Sequence, residues 1–353
     1  MVLKRTNSTA RKGGKMNLKS LAYDDVLLVP QYSNIRSRNE VNLKSSLDYK
    51  NEFALPVISS PMDTVTESAM AIAMHHAGGL GIIHRYNSIE EQCILVRDSY
   101  MKGTCTIGAA VGVTEDYEER ACAVFDQGAK IICVDVAHGH HILMKEALLS
   151  LKAIFGNSVH VMAGNVATLE GLNDLSDWGA DSVKCNIGGG SICSTRIQTG
   201  HGLSGFQTIL DCAKTDRDVK IIADGGMRTP GDIVKALAAG ADFVMLGSML
   251  AGTTEAPGES VHTPKGIKKK YRGMASKDAQ MDWRGRYSSN EGISTLISHK
   301  GSVSPILEDI DTSVKSGLSY SGCRTINELQ TKCRWATQTS AGAHEGKTHI
   351  LMR

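Results

Sequence analysis

From residue 56 onward, short apolar runs rich in β-branched residues alternate with longer amphipathic segments. This alternation is typical of βαβ units, in which helices connect buried parallel strands. Eight runs are predicted to be strands, namely PVISS (56–60), LGIIH (80–84), IGAAVG (107–112), IICVDVA (131–137), HVMAGNV (160–166), SVKCNI (182–187), KIIADGG (220–226) and FVMLGSM (243–249).

The segments between these runs have helical periodicity. Three of them close with a glycine near the C-terminus, as many helices do: TESAMAIAMHHAG (66–78), EDYEERACAVFDQGA (115–129) and TLEGLNDLSDWGA (168–180). Eight consecutive strand–helix units with right-handed crossovers favour a closed barrel over a doubly wound sheet. We therefore predict an α/β protein with one (β/α)8 TIM-barrel domain over residues 16–353, preceded by a disordered basic tail at 1–15.

Composition and charge exclude several classes of protein. The 353 residues carry 39 basic and 37 acidic side chains, so we expect no nucleic-acid partner, and any phosphate recognition must be local. No run of 18 apolar residues occurs, so we expect no membrane partner. The nine cysteines are odd in number and never spaced as C-x-x-C, which favours a reducing cytoplasm over a disulfide framework or a zinc site.

Polar residues follow the predicted strands at the end of a barrel where active sites form. Gly225–Gly226 and Gly247–Ser248 end the seventh and eighth strands, where glycine lets backbone amides approach a phosphate, and Ser191 can reach the same anion. The carboxylate of Asp224 would repel a phosphate bound beside it. Its presence is explained if it accepts hydrogen bonds from the hydroxyls of a ribose. The alternatives are that the glycines form only tight turns and that Asp224 caps the helix after Thr229.

Cys193 lies in the glycine-rich stretch GGGSICSTR (188–196), an environment that favours a reactive thiolate. The alternative is an inert cysteine, the commoner fate of an isolated thiol. Gly188, Gly190 and Cys193 also place three backbone carbonyls around a tight turn, which can cage a monovalent cation.

A long polar segment rich in glycine follows the eighth strand, at residues 265–292. Such a segment is typical of a mobile lid over a barrel mouth, and we place the lid at about residues 265–300. The alternative is a disordered insertion.

From about Leu18 to the C-terminus the chain resembles the inosine monophosphate dehydrogenase and guanosine monophosphate reductase family. The resemblance is carried by YDDVLLVPQYS (23–33), SSPMDTVTE (59–67), GGLGIIHRYNSIEEQ (78–92), AGNVAT (163–168), GGGSICSTR, the segment from IIADGGMRTP to EAPGE (221–259) and YRGM (271–274). It implies a TIM barrel with a flap-like lid. The regulatory CBS insert of many dehydrogenases is absent, because LVRDSYMKGTCTIGAAVGV (95–113) runs straight through its position.

The resemblance also implies roles for individual residues. Cys193 attacks C2 of the purine, assisted by Thr195, and Asp224 holds the ribose of a purine nucleoside monophosphate. The residues that would contact the phosphate are Ser191, Gly226, Gly247, Ser248 and Tyr271, with Gly225 beside them. Met274 and Glu291 would contact the base. The residues that would contact the nicotinamide ribose are Asp135, His138 and Gly139. The implied cofactors are NAD or NADP, together with a K⁺ ion that the backbone carbonyls of Gly188, Gly190 and Cys193 would hold. The implied assembly is a homotetramer.

The family contains two chemistries, oxidation of IMP to XMP with NAD and reduction of GMP to IMP with NADPH. Arg286–Tyr287 resembles the pair that activates water in the dehydrogenases, and it places a cation where the reductases carry a proton-transferring glutamate. The short lid, SRNEV (37–41) and DVAHGHH (135–141) resemble the reductases instead. We predict the dehydrogenase, with the reductase as the alternative and a non-catalytic purine nucleotide sensor as a remote one.

Two departures from the family pattern are Gly-Gly-Gly at 188–190, where Gly-Pro-Gly is usual, and Ala275, where the dehydrogenases usually have glycine. The choice between NAD and NADP stays open, because the chain has no GxGxxG fingerprint whose acidic partner would read the ribose 2′ position.

Overall fold

Each of the eight predicted runs forms a parallel strand in the computed structural model, which describes residues 20–104, 106–114, 116–288 and 290–348. The predicted basic tail and Cys105 therefore lie outside the described residues. The strands are β1 (Val57–Ser59), β2 (Leu80–Ile83), β3 (Gly108–Val111), β4 (Ile131–Asp135), β5 (His160–Val166), β6 (Ser182–Cys185), β7 (Lys220–Asp224) and β8 (Phe243–Leu246).

The strands pair in chain order, and β8 closes the sheet by pairing with β1. In this last pair Val244 lies opposite Val57 and Leu246 lies opposite Ser59. The helices between the strands are α1 (Ser68–His76), α2 (Ile89–Met101), α3 (Tyr117–Asp126), α4 (Ile142–Phe155), α5 (Leu169–Asp177), α6 (Thr195–Thr199), α7 (Gly205–Cys212) and α8 (Pro230–Ala238). Four more helices follow β8 in the chain: α9 (Lys277–Arg284), α10 (Ser304–Tyr320), α11 (Ile326–Lys332) and α12 (Ser340–Glu345). The predicted TIM barrel is confirmed.

The glycine signals at the helix ends act as expected. Gly78, Gly128 and Gly179 follow α1, α3 and α5 with φ angles of 80°, 109° and 111°, a conformation that residues with a Cβ rarely adopt. The glycines therefore let the chain leave each helix and turn back into the next strand.

Two apolar layers hold the barrel. A large cluster packs between the strands and the helices, and a smaller one fills the barrel interior with side chains such as Ile58, Ile82 and Met162. A short hairpin of Ser45–Ser46 and Glu52–Phe53 closes the amino-terminal end, where the Phe53 ring meets the Phe243 ring edge-on at 5.7 Å. The open end is consequently the carboxyl end of the strands.

The remaining elements lie around this scaffold. The strand Val26–Leu28 pairs with Trp335–Thr337, and two 3₁₀ turns cover Tyr23–Asp25 and Arg38–Glu40. Residues 102–107 alone connect α2 to β3, so no domain is inserted there. The predicted lid contains β10 (Gly266–Arg272) and β11 (Ser294–Ser298), which form a sheet with β9 (Ser260–Thr263), and it also contains α9.

The cysteines of the described residues are free thiols. Over the same part of the chain, every helix is too short or too polar to cross a lipid bilayer.

A chain of hydrogen bonds between Asp48, His160 and Ser182 lies at the closed end of the barrel. His160 Nδ1 lies 2.9 Å from Asp48 Oδ2, and His160 Nε2 lies 2.8 Å from the buried Ser182 hydroxyl. Burial favours the neutral carboxyl, but hydrogen bonds from His160, Asn51 and the Lys50 amide outweigh it and hold the pKa of Asp48 well below its ordinary value. The charged form of Asp48 therefore stabilises the fold.

We expect Asp48→Asn to lower the free energy of unfolding by about 2 kcal/mol at pH 7, the usual loss for a hydrogen-bonded charge. A carboxyl with a lowered folded pKa stabilises the fold above its unfolded pKa of about 3.9, and this contribution disappears as the pH falls. The difference between wild type and variant, measured by urea unfolding, should therefore shrink towards pH 3. Asp216→Asn is the control, because that side chain is 82% exposed. A pH-independent difference would contradict the electrostatic origin.

Candidate active site

A cavity of about 400 Å³ lies at the carboxyl ends of the barrel strands. Most of the predicted site residues line it, although they come from distant parts of the sequence. They are Asp135, Gly188, Gly190, Ser191, Cys193, Thr195, Asp224, Gly225, Gly226, Gly247, Ser248, Tyr271, Met274 and Glu291.

Four predicted site residues lie outside the lining of this cavity. Arg286 and Tyr287 are exposed on the lid, and Lys277 Nζ lies 4.8 Å from the centre of the Tyr287 ring. His138 is exposed, and the buried Gly139 donates its amide to the Asn165 carbonyl at 2.7 Å. Catalytic and cofactor roles for these residues stay predictions.

The Cys193 thiol has a hydroxyl partner at the cavity wall. Its Sγ lies 3.2 Å from Thr195 Oγ1, and its amide donates to the Gly190 carbonyl at 3.1 Å. The nearby Arg196 guanidinium donates to the carbonyls of Ile187 and Leu203. Thr195 is thus the side chain placed to exchange a proton with the thiol or with a group bound to it.

The lid meets the cysteine loop through backbone hydrogen bonds. Cys193 pairs with Gly292 in an isolated antiparallel bridge. The Ser194 amide donates to the Glu291 carbonyl at 2.9 Å, and the Ile293 amide donates to the Ile192 carbonyl at 3.0 Å. The end of the lid and the candidate nucleophile are consequently parts of one small backbone ladder.

Backbone conformation requires glycine at two of the positions predicted to bind phosphate, and a third position is crowded. Gly225 and Gly226 both have positive φ angles, 78° and 83°, which exclude most side chains. A Cβ on Gly247 would lie 3.2 Å from the Tyr271 hydroxyl. Burial raises the pKa of Tyr271, and a hydrogen bond with Ser191 offsets this only in part. Tyr271 therefore stays neutral and keeps a hydroxyl proton to donate.

Asp224 is not a helix cap. The hydroxyl of Thr229 caps α8 by accepting from the Asp232 amide, whereas Asp224 Oδ2 accepts from Asn165 Nδ2 at 2.8 Å. Lys184 Nζ lies 3.4 Å from the same oxygen and also donates to Asp135 Oδ1. Asp224 therefore lies in a hydrogen-bonded charge cluster on the cavity wall.

Lys184 is the cation of this cluster, and its side chain is only 1% exposed. Burial opposes its charge, but the carboxylates of Asp135 and Asp224 outweigh that effect and raise the pKa of Lys184. The ammonium group is therefore permanently charged and is unsuited to act as a base.

Sequence reasoning missed several lining residues, among them Lys184, Arg85, Trp283 and Arg284. One signal was present for Lys184, which is a charged residue inside the otherwise apolar run SVKCNI. Arg85 and Trp283 gave no comparable signal. They meet only through folding, where the Arg85 guanidinium lies 5.8 Å from the Trp283 ring centre.

The loop at residues 188–193 already has a hydrogen-bond donor at one predicted cation ligand. The Gly190 carbonyl accepts from the Cys193 amide at 3.1 Å. The Arg196 guanidinium donates to the adjacent Ile187 carbonyl at 3.1 Å, so a positive charge already lies at this turn. The cation stays an expectation of the resemblance.

The fold and the cavity together define a class, a (β/α)8 barrel with a nucleotide-sized site and a cysteine at the carboxyl ends of its strands. The model of the IMP dehydrogenase / GMP reductase domain matches residues 20–349. The chain belongs to the IMP dehydrogenase / GMP reductase family and is therefore an oxidoreductase.

Individual relatives carry both activities in their names. The chain is 35% identical over 385 residues to inosine-5′-monophosphate dehydrogenase of Cryptosporidium parvum, covering 94% of this chain and 95% of that protein. It is 30% identical over 480 residues to GMP reductase of Leishmania major, covering 95% and 98%. A solved structure of a GMP reductase variant from Trypanosoma brucei in complex with guanosine 5′-monophosphate has a TM-score of 0.90 at 30% identity, covering 94% of this chain and 98% of that one. The comparisons show the family and do not separate its two reactions.

An ion cluster joins the lid to the barrel. Arg272 on β10 donates to Asp63 after β1 at 2.6 Å and to Asp278 on α9 at 3.1 Å, and it also contacts Asp282. The Arg272 and Asp63 side chains are 11% and 12% exposed, so this pair is shielded from salt far better than a surface pair.

We expect Asp63→Asn to loosen the lid without unfolding the barrel, because Arg272 then loses its partner on the barrel. Hydrogen–deuterium exchange of peptides from residues 266–284 should become about tenfold faster, equivalent to about 1.4 kcal/mol. Peptides from residues 142–155 should be unchanged. Lys270→Met is the matched control, since Lys270 pairs with Asp278 inside the lid at 2.6 Å. Equal effects of the two variants would rule out Asp63 as the lid anchor.

Proposed function

We propose that the protein is an IMP dehydrogenase, converting IMP, NAD⁺ and water to XMP, NADH and a proton. The cavity supplies both ends of a nucleoside monophosphate site. Gly226, Gly247 and Tyr271, the predicted phosphate contacts, line the same cavity as Cys193 and Thr195. Asp224, which also lines this cavity, is the proposed ribose contact. This arrangement supports a purine base placed against the thiol.

In the proposed reaction, Cys193 loses its proton and Sγ bonds to C2 of the purine, and the C2 hydrogen leaves with its electron pair. NAD supplies the hydride acceptor when it is bound. Water then adds to C2 and the C2–Sγ bond breaks, which restores the thiol and gives XMP. Thr195, 3.2 Å from the thiol, is placed to relay a proton in this second step.

The lid composition is the observation that supports oxidation over GMP reduction. In the described part of residues 277–288, the cavity is lined by Gln280, Trp283, Arg284 and Ser288, none of them acidic. Asp278 and Asp282, the carboxylates of α9, are held by Lys270 and Arg272. Expulsion of ammonia from GMP needs a proton donor, and Glu291, the predicted base contact, is the one acidic residue among the described lid residues that line the cavity.

Arg286 and Tyr287 are the proposed activators of water. Both are exposed outside the cavity lining, so the proposal requires the lid to carry them over the cavity after hydride transfer.

Space for a dinucleotide adjoins the nucleotide cavity. A second cavity of about 960 Å³ shares Arg85, Tyr86, Trp283 and Arg284 with the first. We propose that Asp135 contacts the nicotinamide ribose and that the second cavity holds the rest of NAD. Assembly as a homotetramer stays a prediction of the resemblance.

The purified protein should form NADH from IMP and NAD, followed at 340 nm, and should consume no NADPH with GMP. Cys193→Ser should lower kcat by about 10³-fold or more, as loss of a catalytic nucleophile does. Cys122→Ser on α3, outside the cavity lining, should keep normal turnover. NADPH consumption with GMP would replace the proposal by GMP reduction. Absence of turnover with both pairs would favour the nucleotide sensor.

Arg286→Ala should slow hydrolysis while leaving hydride transfer intact, because the proposed role of Arg286 begins after the hydride has left. Stopped-flow measurements should then show a burst of about one NADH per active site before a slow steady state. Lys265→Ala, which removes another exposed lid cation, should show the wild-type time course. A variant that loses the burst and the steady state together would contradict this assignment.

A further inference from the structure

Lys184 occupies an unusual position between two carboxylates of different proposed function. It projects from β6, donates to Asp135 Oδ1 at the end of β4, and lies 3.4 Å from Asp224 Oδ2 at the end of β7. Each carboxylate is 19% exposed and lines the cavity, whereas the lysine side chain is 1% exposed. One buried cation thus supports two partly exposed anions.

The strands beside Lys184 approach each other closely at one glycine. A Cβ on Gly164 of β5 would lie 2.6 Å from Lys184 Cβ and 2.8 Å from the Lys184 carbonyl. Glycine therefore lets β5 pass close to β6 next to the cluster.

The hydrogen bonds within the cluster leave acceptors for a ligand. Lys184 uses Oδ1 of Asp135, and Lys184 and Asn165 both lie at Oδ2 of Asp224. Among the described residues, the second oxygen of each carboxylate has no hydrogen-bond partner. A carboxylate held at one oxygen and open at the other is suited to accept from the hydroxyls of a ribose.

The charge of the cluster explains why the lysine is needed. Two carboxylates at one partly buried site repel each other, and an ammonium group between them offsets that repulsion. Without the ammonium group the two side chains would move apart and lose their positions at the cavity wall. Other titratable or charged groups near the lysine are Cys133, Tyr86 and Arg85, and the Arg85 guanidinium donates to the Asp135 backbone carbonyl at 3.2 Å.

We propose that Lys184 is the shared positioning residue of the two ribose sites, holding Asp224 in place for the nucleotide ribose and Asp135 in place for the cofactor ribose. The inference rests on the proposed function, which assigns one ribose to each carboxylate. It predicts that loss of one side chain weakens the binding of two different ligands.

The test measures equilibrium binding of IMP and of NAD separately, by titration calorimetry, so that it does not depend on turnover. Lys184→Met should raise both dissociation constants by about tenfold or more. Asp224→Asn should raise the value for IMP alone, and Asp135→Asn the value for NAD alone. Lys184→Arg should restore most of both affinities, because it returns the cation.

Lys152→Met is the matched control. Lys152 forms an ion pair with Asp181 at 2.7 Å and is 22% exposed, and neither residue lines the cavity. This variant is expected to lower the melting temperature and to leave both dissociation constants unchanged, whereas Lys184→Met changes both at a temperature where it is folded.

Each result decides one point. If wild type binds IMP and NAD and Lys184→Met binds them equally well, or loses only one, the shared role is wrong and the proposed function is unaffected. Failure of Lys184→Arg to restore either affinity also overturns the shared role. If wild type binds GMP and NADPH in place of IMP and NAD, the dehydrogenase proposal fails, and the same double loss with those ligands would still support the role of Lys184. If wild type binds neither pair, both proposals fall.

Discussion

Closure of the barrel by pairing of β8 with β1 is the constraint on which the remaining structure depends. The register of Val244 with Val57 brings the last strand beside the first, although nearly 190 residues separate them. Because all eight strands of the described barrel are parallel, their carboxyl ends meet at one rim. Asp135 and Asp224, which end two of these strands, and Gly247, which directly follows a third, are therefore brought to the same rim.

The rim concentrates charge that the scaffold must tolerate. A buried lysine is costly unless its ammonium is paired, and carboxylates in contact repel unless a cation separates them. Lys184, Asp135 and Asp224 satisfy each other, so the cost of burying any one of them is reduced by the other two. The closed end of the barrel has a comparable arrangement in Asp48, His160 and Ser182, but these residues lie outside the lining of the active-site cavity.

The sequence alone predicted the strands, the helices and the order of the barrel, because burial on both faces of parallel strands leaves a plain apolar pattern. It also predicted the glycines and Asp224, whose residue types are dictated by backbone geometry and ligand chemistry. The role of Lys184 could not be predicted, because it depends on which strands become neighbours in the folded barrel. The position of Arg286 could not be predicted either, because the orientation of a lid follows from its contacts and not from its residue types. The comparisons show the family, and the direction of the reaction stays a proposal.

The backbone ladder between the cysteine loop and the end of the lid has a consequence for divergence within the family. Cys193 with Gly292, Ser194 with Glu291 and Ile293 with Ile192 are joined through main-chain atoms. Main-chain hydrogen bonds tolerate most substitutions, so the side chains of the lid are free to change while its attachment to the nucleophile is kept. A lineage can in this way exchange one proton-transfer group for another and acquire a different reaction on an unaltered barrel.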